Sequence, residues 1–77
     1  MEEALAHLVK SLVHHPEQVE VRAAPRDSRN TMLEIYVADG DMGPVIGRQG
    51  RTIKALRAIF AAVSEKQQHR FTLDVVV

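Results

Sequence analysis

The sequence predicts an α+β domain: a three-stranded mixed sheet with helices packed on one face, in the order helix, strand, strand, short helix, long helix, strand. Three observations carry this. Apolar residues recur at three- and four-residue spacing in two stretches, Leu5, Leu8, Val9, Leu12 and Ile53, Leu56, Phe60, Val63, the pattern of a helix with one buried stripe. They alternate every second residue in three others, near 19–23, 33–37 and 71–77, the pattern of a strand with one core-facing side. A glycine-framed break, Gly47-Arg48-Gln49-Gly50, separates a short helical segment from a long one.

The first helix is predicted over 2–14, with Ala4 and Val13 at the edges of its stripe, until His14-His15-Pro16 ends it. A residue before proline is pushed out of the helical region, and proline cannot continue the hydrogen-bond ladder. Val19, Val21 and Ala23 then form the inner side of a strand that Pro25 closes, and Arg26 to Thr31 is a polar loop. Leu33, Ile35 and Val37 make a second strand, antiparallel to the first. Asp39-Gly40-Asp41 breaks it, with Asp41 placed to cap a short helix from about Met42 to Ile46. After Gly50 the long helix buries Ile53, Leu56, Phe60 and Val63 and fades through Ser64 to His69. Phe71, Leu73, Val75 and Val77 mark the closing strand. Its two-helix crossover of about thirty residues is most simply accommodated by a strand parallel to the second.

Seventy-seven residues make one domain, 1–77, near the lower size limit for a core unaided by disulfide or metal. With 45% hydrophobic and 26% charged residues, the composition is that of a globular domain rather than a disordered chain. There is no cysteine, which excludes disulfides and cysteine metal sites. No stretch has the length and apolarity of a membrane span or a signal peptide, so a cytoplasmic protein is expected.

The formal net charge is zero, which argues against coating a nucleic acid by bulk electrostatics. The charge is nevertheless segregated. Residues 1–41 carry eight acids and four bases, whereas 42–77 carry six bases and two acids, and no acid falls between Met42 and Ser64. Arg48, Arg51, Lys54 and Arg57 all lie in that acid-free span, so positive potential is concentrated at the glycine turn. There, Gly47 and Gly50 let a sugar-phosphate chain approach the backbone closely, and the amides from Gly50 to Ile53 open a helix whose positive dipole end suits phosphate. The candidate RNA-binding residues are Val45, Ile46, Gly47, Arg48, Gln49, Gly50, Arg51, Ile53 and Lys54. Val45, Ile46 and Ile53, with parts of Leu33, Ile35 and Val37, are expected to present apolar surface beside the turn.

Ile46-Gly47-Arg48-Gln49-Gly50-Arg51-Thr52-Ile53, set between two helices, resembles the signature of the KH domain family, and the element order resembles its type II fold. With Asp41-Met42-Gly43 leading into Val45-Ile46-Gly47, essentially the whole chain is similar to the small bacterial KhpA family. The resemblance implies a cytoplasmic, non-enzymatic protein that clamps about four single-stranded nucleotides. It also implies a homodimer, or a heterodimer with a second KH protein of the KhpB, Jag or EloR type, acting as an RNA chaperone or post-transcriptional regulator. Pro44 is a departure, standing two positions before Ile46 where a basic residue is expected; it removes one possible phosphate contact.

Competing readings exist for each feature. Alone, the glycine turn reads as a helix C-cap, and the basic row as a solvated helix face. The small-residue face Ala55, Ala58, Ile59, Ala62 is either a dimer interface or a surface packed on the first helix. The fold could also serve as a dimerisation or interaction module with little RNA contact, or take single-stranded DNA. His14 and His15 lack further ligands for a metal, so a charge role at a helix C-terminus is expected and no cofactor. No serine has a base arranged beside it, and the glycine turn lacks the Lys-Ser/Thr ending of a nucleotide-binding loop, so no enzyme is expected.

Overall fold

Leu33 and Ile35, on the central strand of a three-stranded sheet, are fully enclosed in the computed structural model, which describes residues 1–76. The elements run α1 (Glu2–Lys10), β1 (Glu20–Asp27), β2 (Asn30–Tyr36), α2 (Met42–Ile46), α3 (Arg51–Gln67) and β3 (Arg70–Val75). β1 pairs antiparallel with β2, and β3 pairs parallel with β2. Two of the predicted relationships are therefore present, the hairpin and the parallel crossover. Val77, placed by its alternation in the closing strand, lies outside the described residues.

The alternation works because the register stacks apolar residues in rows across one face. Val21, Ile35 and Val75 make one row and Ala23, Leu33 and Leu73 the next. On that face α1 packs against β1, α3 against β3, and α2 against α3. Leu5 and Val9 of α1, Val45 of α2, and Ile53, Leu56 and Phe60 of α3 complete the core with Leu33, Ile35 and Leu73. Each such side chain contributes about 1.5–3 kcal/mol by leaving water, so α1 and α3 are held by their stripes rather than by propensity alone.

Three local details differ from expectation, each for a physical reason. The first helix ends at Lys10, not at His14: the Ser11 hydroxyl donates to the Leu8 carbonyl at 2.6 Å, and Ser11 and Leu12 N–H donate to Leu8 and Val9 in tighter three-residue turns. β1 continues through Pro25 to Asp27. As an edge strand with a register shift between Pro25 and Asp27, it tolerates the missing donor. The expected six-residue loop is thereby reduced to a tight turn, in which the Asp27 carboxylate accepts from Arg29 N–H at 2.8 Å and from the Asn30 amide. Ala23 is exposed despite its inward register.

At the far end α3 remains helical to Gln67. Gln68 then adopts the left-handed conformation, and His69 N–H returns to the Ser64 carbonyl at 3.1 Å. The Ser64 hydroxyl donates to Phe60 O at 2.7 Å and accepts Phe71 N–H at 2.8 Å. One side chain thus fastens the start of β3 to the last turns of α3.

Candidate nucleic-acid interface

The glycine turn is built from left-handed backbone. Gly47 has φ 77°, ψ 170°, Gln49 φ 56°, ψ 26°, and Gly50 φ 74°, ψ 17°. An L-residue pays about 1–2 kcal/mol for the left-handed helical region that Gln49 and Gly50 occupy, and the positive-φ, extended-ψ region of Gly47 is essentially confined to glycine, so two of the three positions are glycine and the third is held by its neighbours. The two glycines differ. A Cβ at Gly47 would collide with the Thr52 side chain and come within 2.8 Å of its backbone nitrogen, whereas at Gly50 the nearest atoms would be Lys54 Cε at 3.8 Å and Ile53 Cγ2 at 4.0 Å. Gly47 lets the chain fold back on the start of α3. Gly50 keeps the outer surface of the turn open.

Gly50 N–H donates to Gly47 O at 3.1 Å and Arg51 N–H to Arg48 O. Two of the four amides expected to face a ligand are thus consumed by the turn, and a helix start leaves the next ones, Thr52 and Ile53, without partners of its own. Arg48, Gln49, Arg51 and Lys54 are exposed. Among the described residues, none of Arg48, Arg51, Lys54 and Arg57 forms an ion pair. The basic row therefore presents uncompensated charge.

The apolar candidates divide. Ile46 is 37% exposed beside the turn, while Val45 and Ile53 lie in the core beneath it. Leu33 and Ile35 are fully enclosed and offer no groove surface, because they share one core cluster with the side chains of α1, α2 and α3. The concave surface lies on the other flank of α3, a cavity of about 620 Å³ between α3 and the unpaired edge of β3. Arg57 and Ala61 of α3 and Phe71 and Leu73 of β3 line it, and it reaches Arg29 in the hairpin turn. Gly50, Lys54, Arg57 and Ala61 follow the three- and four-residue spacing of a single α3 face, so the turn and the cavity share one side of the helix. Sequence alone gave no hint of this groove, since its walls come from segments far apart in the chain and Phe71 alternates as a core residue.

Asp41 stands at the start of α2 but caps nothing with its side chain. It is 1% exposed. Its carboxylate accepts His14 N–H at 3.2 Å and His15 N–H at 2.8 Å, and its Oδ2 lies 3.1 Å from His15 Nδ1. Burial by itself pushes this carboxyl upward, but the two backbone donors and the His15 ring outweigh it, holding Asp41 below the ordinary carboxylate range. His15 serves this contact, and not the helix-terminal role expected of it. The small-residue face of α3 does not pack on α1: Ala55, Ala58, Ile59 and Ala62 are all exposed, Ile59 by 48%.

A helix-glycine turn-helix crossover joining the parallel strands of a three-stranded mixed sheet defines a KH domain of the type II order. The family model described as "KhpA/KhpB, KH domain" matches residues 2–75, and the chain belongs to this family. Similar proteins include the RNA-binding protein KhpA of Streptomyces coelicolor, 48% identical over 75 residues that cover 97% of this chain and 94% of the relative. The RNA-binding protein KhpA of Halalkalibacterium halodurans is 41% identical over 76 residues, covering 99% of each chain. That of Chlamydia muridarum is 39% identical over 77 residues, 99% of this chain and 96% of the relative. No solved structure matches the chain.

Proposed function

We propose that this chain is a single KH domain that binds single-stranded RNA without catalysing a reaction, gripping the backbone at Gly47–Gly50. The observation that carries the reading is a left-handed turn flanked by exposed Arg48, Gln49, Arg51 and Lys54 with no ion-pair partner among the described residues. The start of α3 supplies amides and a positive dipole end for phosphate oxygens. Phosphate contacts of this kind position a strand without selecting its sequence. Bases turn past Ile46 onto the end of α3 nearest the turn, and a site for about four nucleotides fits the KH mode. Such a protein acts in the cytoplasm as an RNA chaperone or post-transcriptional regulator. KhpA in the relatives is named for RNA binding, which supports the assignment.

A second reading rests on Ile59, exposed among alanines on the outer face of α3. There the domain pairs with a second copy or with a larger KH protein of the KhpB type, and in the extreme case pairing replaces RNA binding. Titration of short single-stranded RNA separates the two. The double change Arg48→Asp, Gln49→Asp lowers affinity about tenfold or more on the first reading. Unchanged binding by a folded double variant would falsify the clamp.

A further inference from the structure

Three arginines from three different elements border the cavity beside α3: Arg29 from the hairpin turn, Arg57 from α3 and Arg70 from β3. The only carboxylate on its rim is Glu65, and among the described residues none of the three arginines forms an ion pair. Such a cluster favours an anion.

The floor has a second property. His69 and Phe71 stand with ring centroids 4.7 Å apart at 35°, and both line the cavity. The pair is held from three sides. His69 Nε2 lies 2.7 Å from Thr31 Oγ1 on β2. Phe71 N–H donates to Ser64 Oγ, and Arg70 N–H donates to Arg29 O at 2.7 Å. This last bond ties the two cationic residues at the hairpin end to one another through the backbone. A flat apolar ligand is recognised by stacking on rings held in this way, and a phosphate by arginine forks.

A ligand combining a flat ring and a phosphate is a nucleotide. Arg57 leans along the same cavity, its guanidinium 3.4 Å from Leu73 O. From Gly50 to Gln68 the α3 axis runs about 27 Å at 1.5 Å per residue, so the aromatic pair sits beyond the reach of bases stacked immediately next to the glycine turn.

We propose that the hairpin end of this cavity is a separate nucleotide subsite, in which Phe71 and His69 stack one base and Arg29 holds the adjoining phosphate of the same RNA strand. The subsite rests on the reading of the glycine turn as an RNA grip, and it extends the contacted strand past that turn. Length dependence follows directly. A strand of about four nucleotides fills the turn region alone, whereas one roughly twice as long reaches the rings.

Fluorescence anisotropy with mixed-sequence single-stranded RNA of both lengths tests this in the full chain. Arg29→Glu is expected to weaken the longer RNA about tenfold and leave the shorter nearly unchanged, while Arg48→Asp with Gln49→Asp weakens both. Equal loss for the two lengths, or no loss for either, overturns the subsite while leaving the grip at the turn intact. If the glycine-turn variant binds both RNAs normally, it is the grip that fails; if neither RNA binds the wild-type chain, both fall. A measurement on the unaltered protein guards against a variant that folds poorly: saturation with the longer RNA should shift the ring proton resonances of Phe71 and His69. Resonances that stay in place at saturation refute the subsite.

Discussion

The Asp41 carboxylate accepts the backbone N–H of His15 at 2.8 Å across 26 residues of sequence, which anchors the turn after α1 to the base of the helix that carries the glycine turn. It is the one charged side chain enclosed among the described residues. A buried carboxylate with three donors is well satisfied, but its loss strands two backbone amides. Asp41→Ala should therefore lower the thermal midpoint at neutral pH by several degrees, whereas His15→Ala, which keeps both amide contacts, should cost much less. Thermal unfolding followed by circular dichroism compares them, and equal losses would show that the ring contact, not the backbone pair, matters.

The same contact sets an acid dependence. Asp41 is held below the ordinary carboxylate value of 3.8 in the folded chain, because the His14 and His15 donors outweigh burial. A depressed folded value means that the stabilisation is fully present above the unfolded value and is lost as pH falls through the folded one. The gap in midpoint between wild type and Asp41→Ala should be constant from pH 7 to about pH 5 and shrink in acid. A gap that persists unchanged below about pH 3 would contradict the direction of the shift.

Gly47 and Gly50 should respond differently to the same substitution. Gly47→Ala places a methyl group against Thr52 on top of an unfavourable φ, for a loss on the order of 2–3 kcal/mol. Gly50→Ala meets no close atom and carries mainly the left-handed penalty of about 1–2 kcal/mol. Urea unfolding measures both, and a larger loss at Gly50 would reverse the assigned roles.

Short-range signals made most of the fold legible. The spacing of Ile53, Leu56 and Phe60, the alternation of Leu33 and Ile35, and the break at Gly47–Gly50 each depend on neighbours within a few residues, and all three stand in the structure. The parallel placement of β3 followed from the length of its crossover. What sequence could not show depends on distant partners. Asp41 has the spacing of a helix cap, and only the fold brings His14 and His15 near enough to compete for it. Likewise Pro25 looks like a strand end until its strand proves to be an edge. The turn's exposed cations were readable one by one; the groove beside them, joining residue 29 to residues 57–73, was not.

Ile59→Asp tests the outer face of α3. The residue is 48% exposed, so an aspartate there remains solvated in the monomer and should change stability by less than about 0.5 kcal/mol. In a paired state the same charge is buried opposite its copy and opposes association. Sedimentation velocity over a range of concentrations should show the wild type self-associating and the variant monomeric. A wild type that stays monomeric throughout would remove the pairing face.

Salt dependence counts the backbone contacts at the turn. Each phosphate neutralised on a single strand contributes roughly 0.7 to the slope of log affinity against log salt. With Arg48, Arg51 and Lys54 all engaged, the slope for a short RNA should be near −2 by the same rule, approximately. Arg51→Ala should weaken binding across all sequences and flatten the slope by roughly 0.7. Arg22 serves as a control: it is already paired with Glu20 at 2.8 Å and stacked 4.8 Å from the Tyr36 ring, far in the strand register from α3. Arg22→Ala should leave the slope unchanged. If both substitutions flatten it equally, affinity arises from net charge rather than from the turn, and the zero net charge of the chain would then predict little binding at physiological salt.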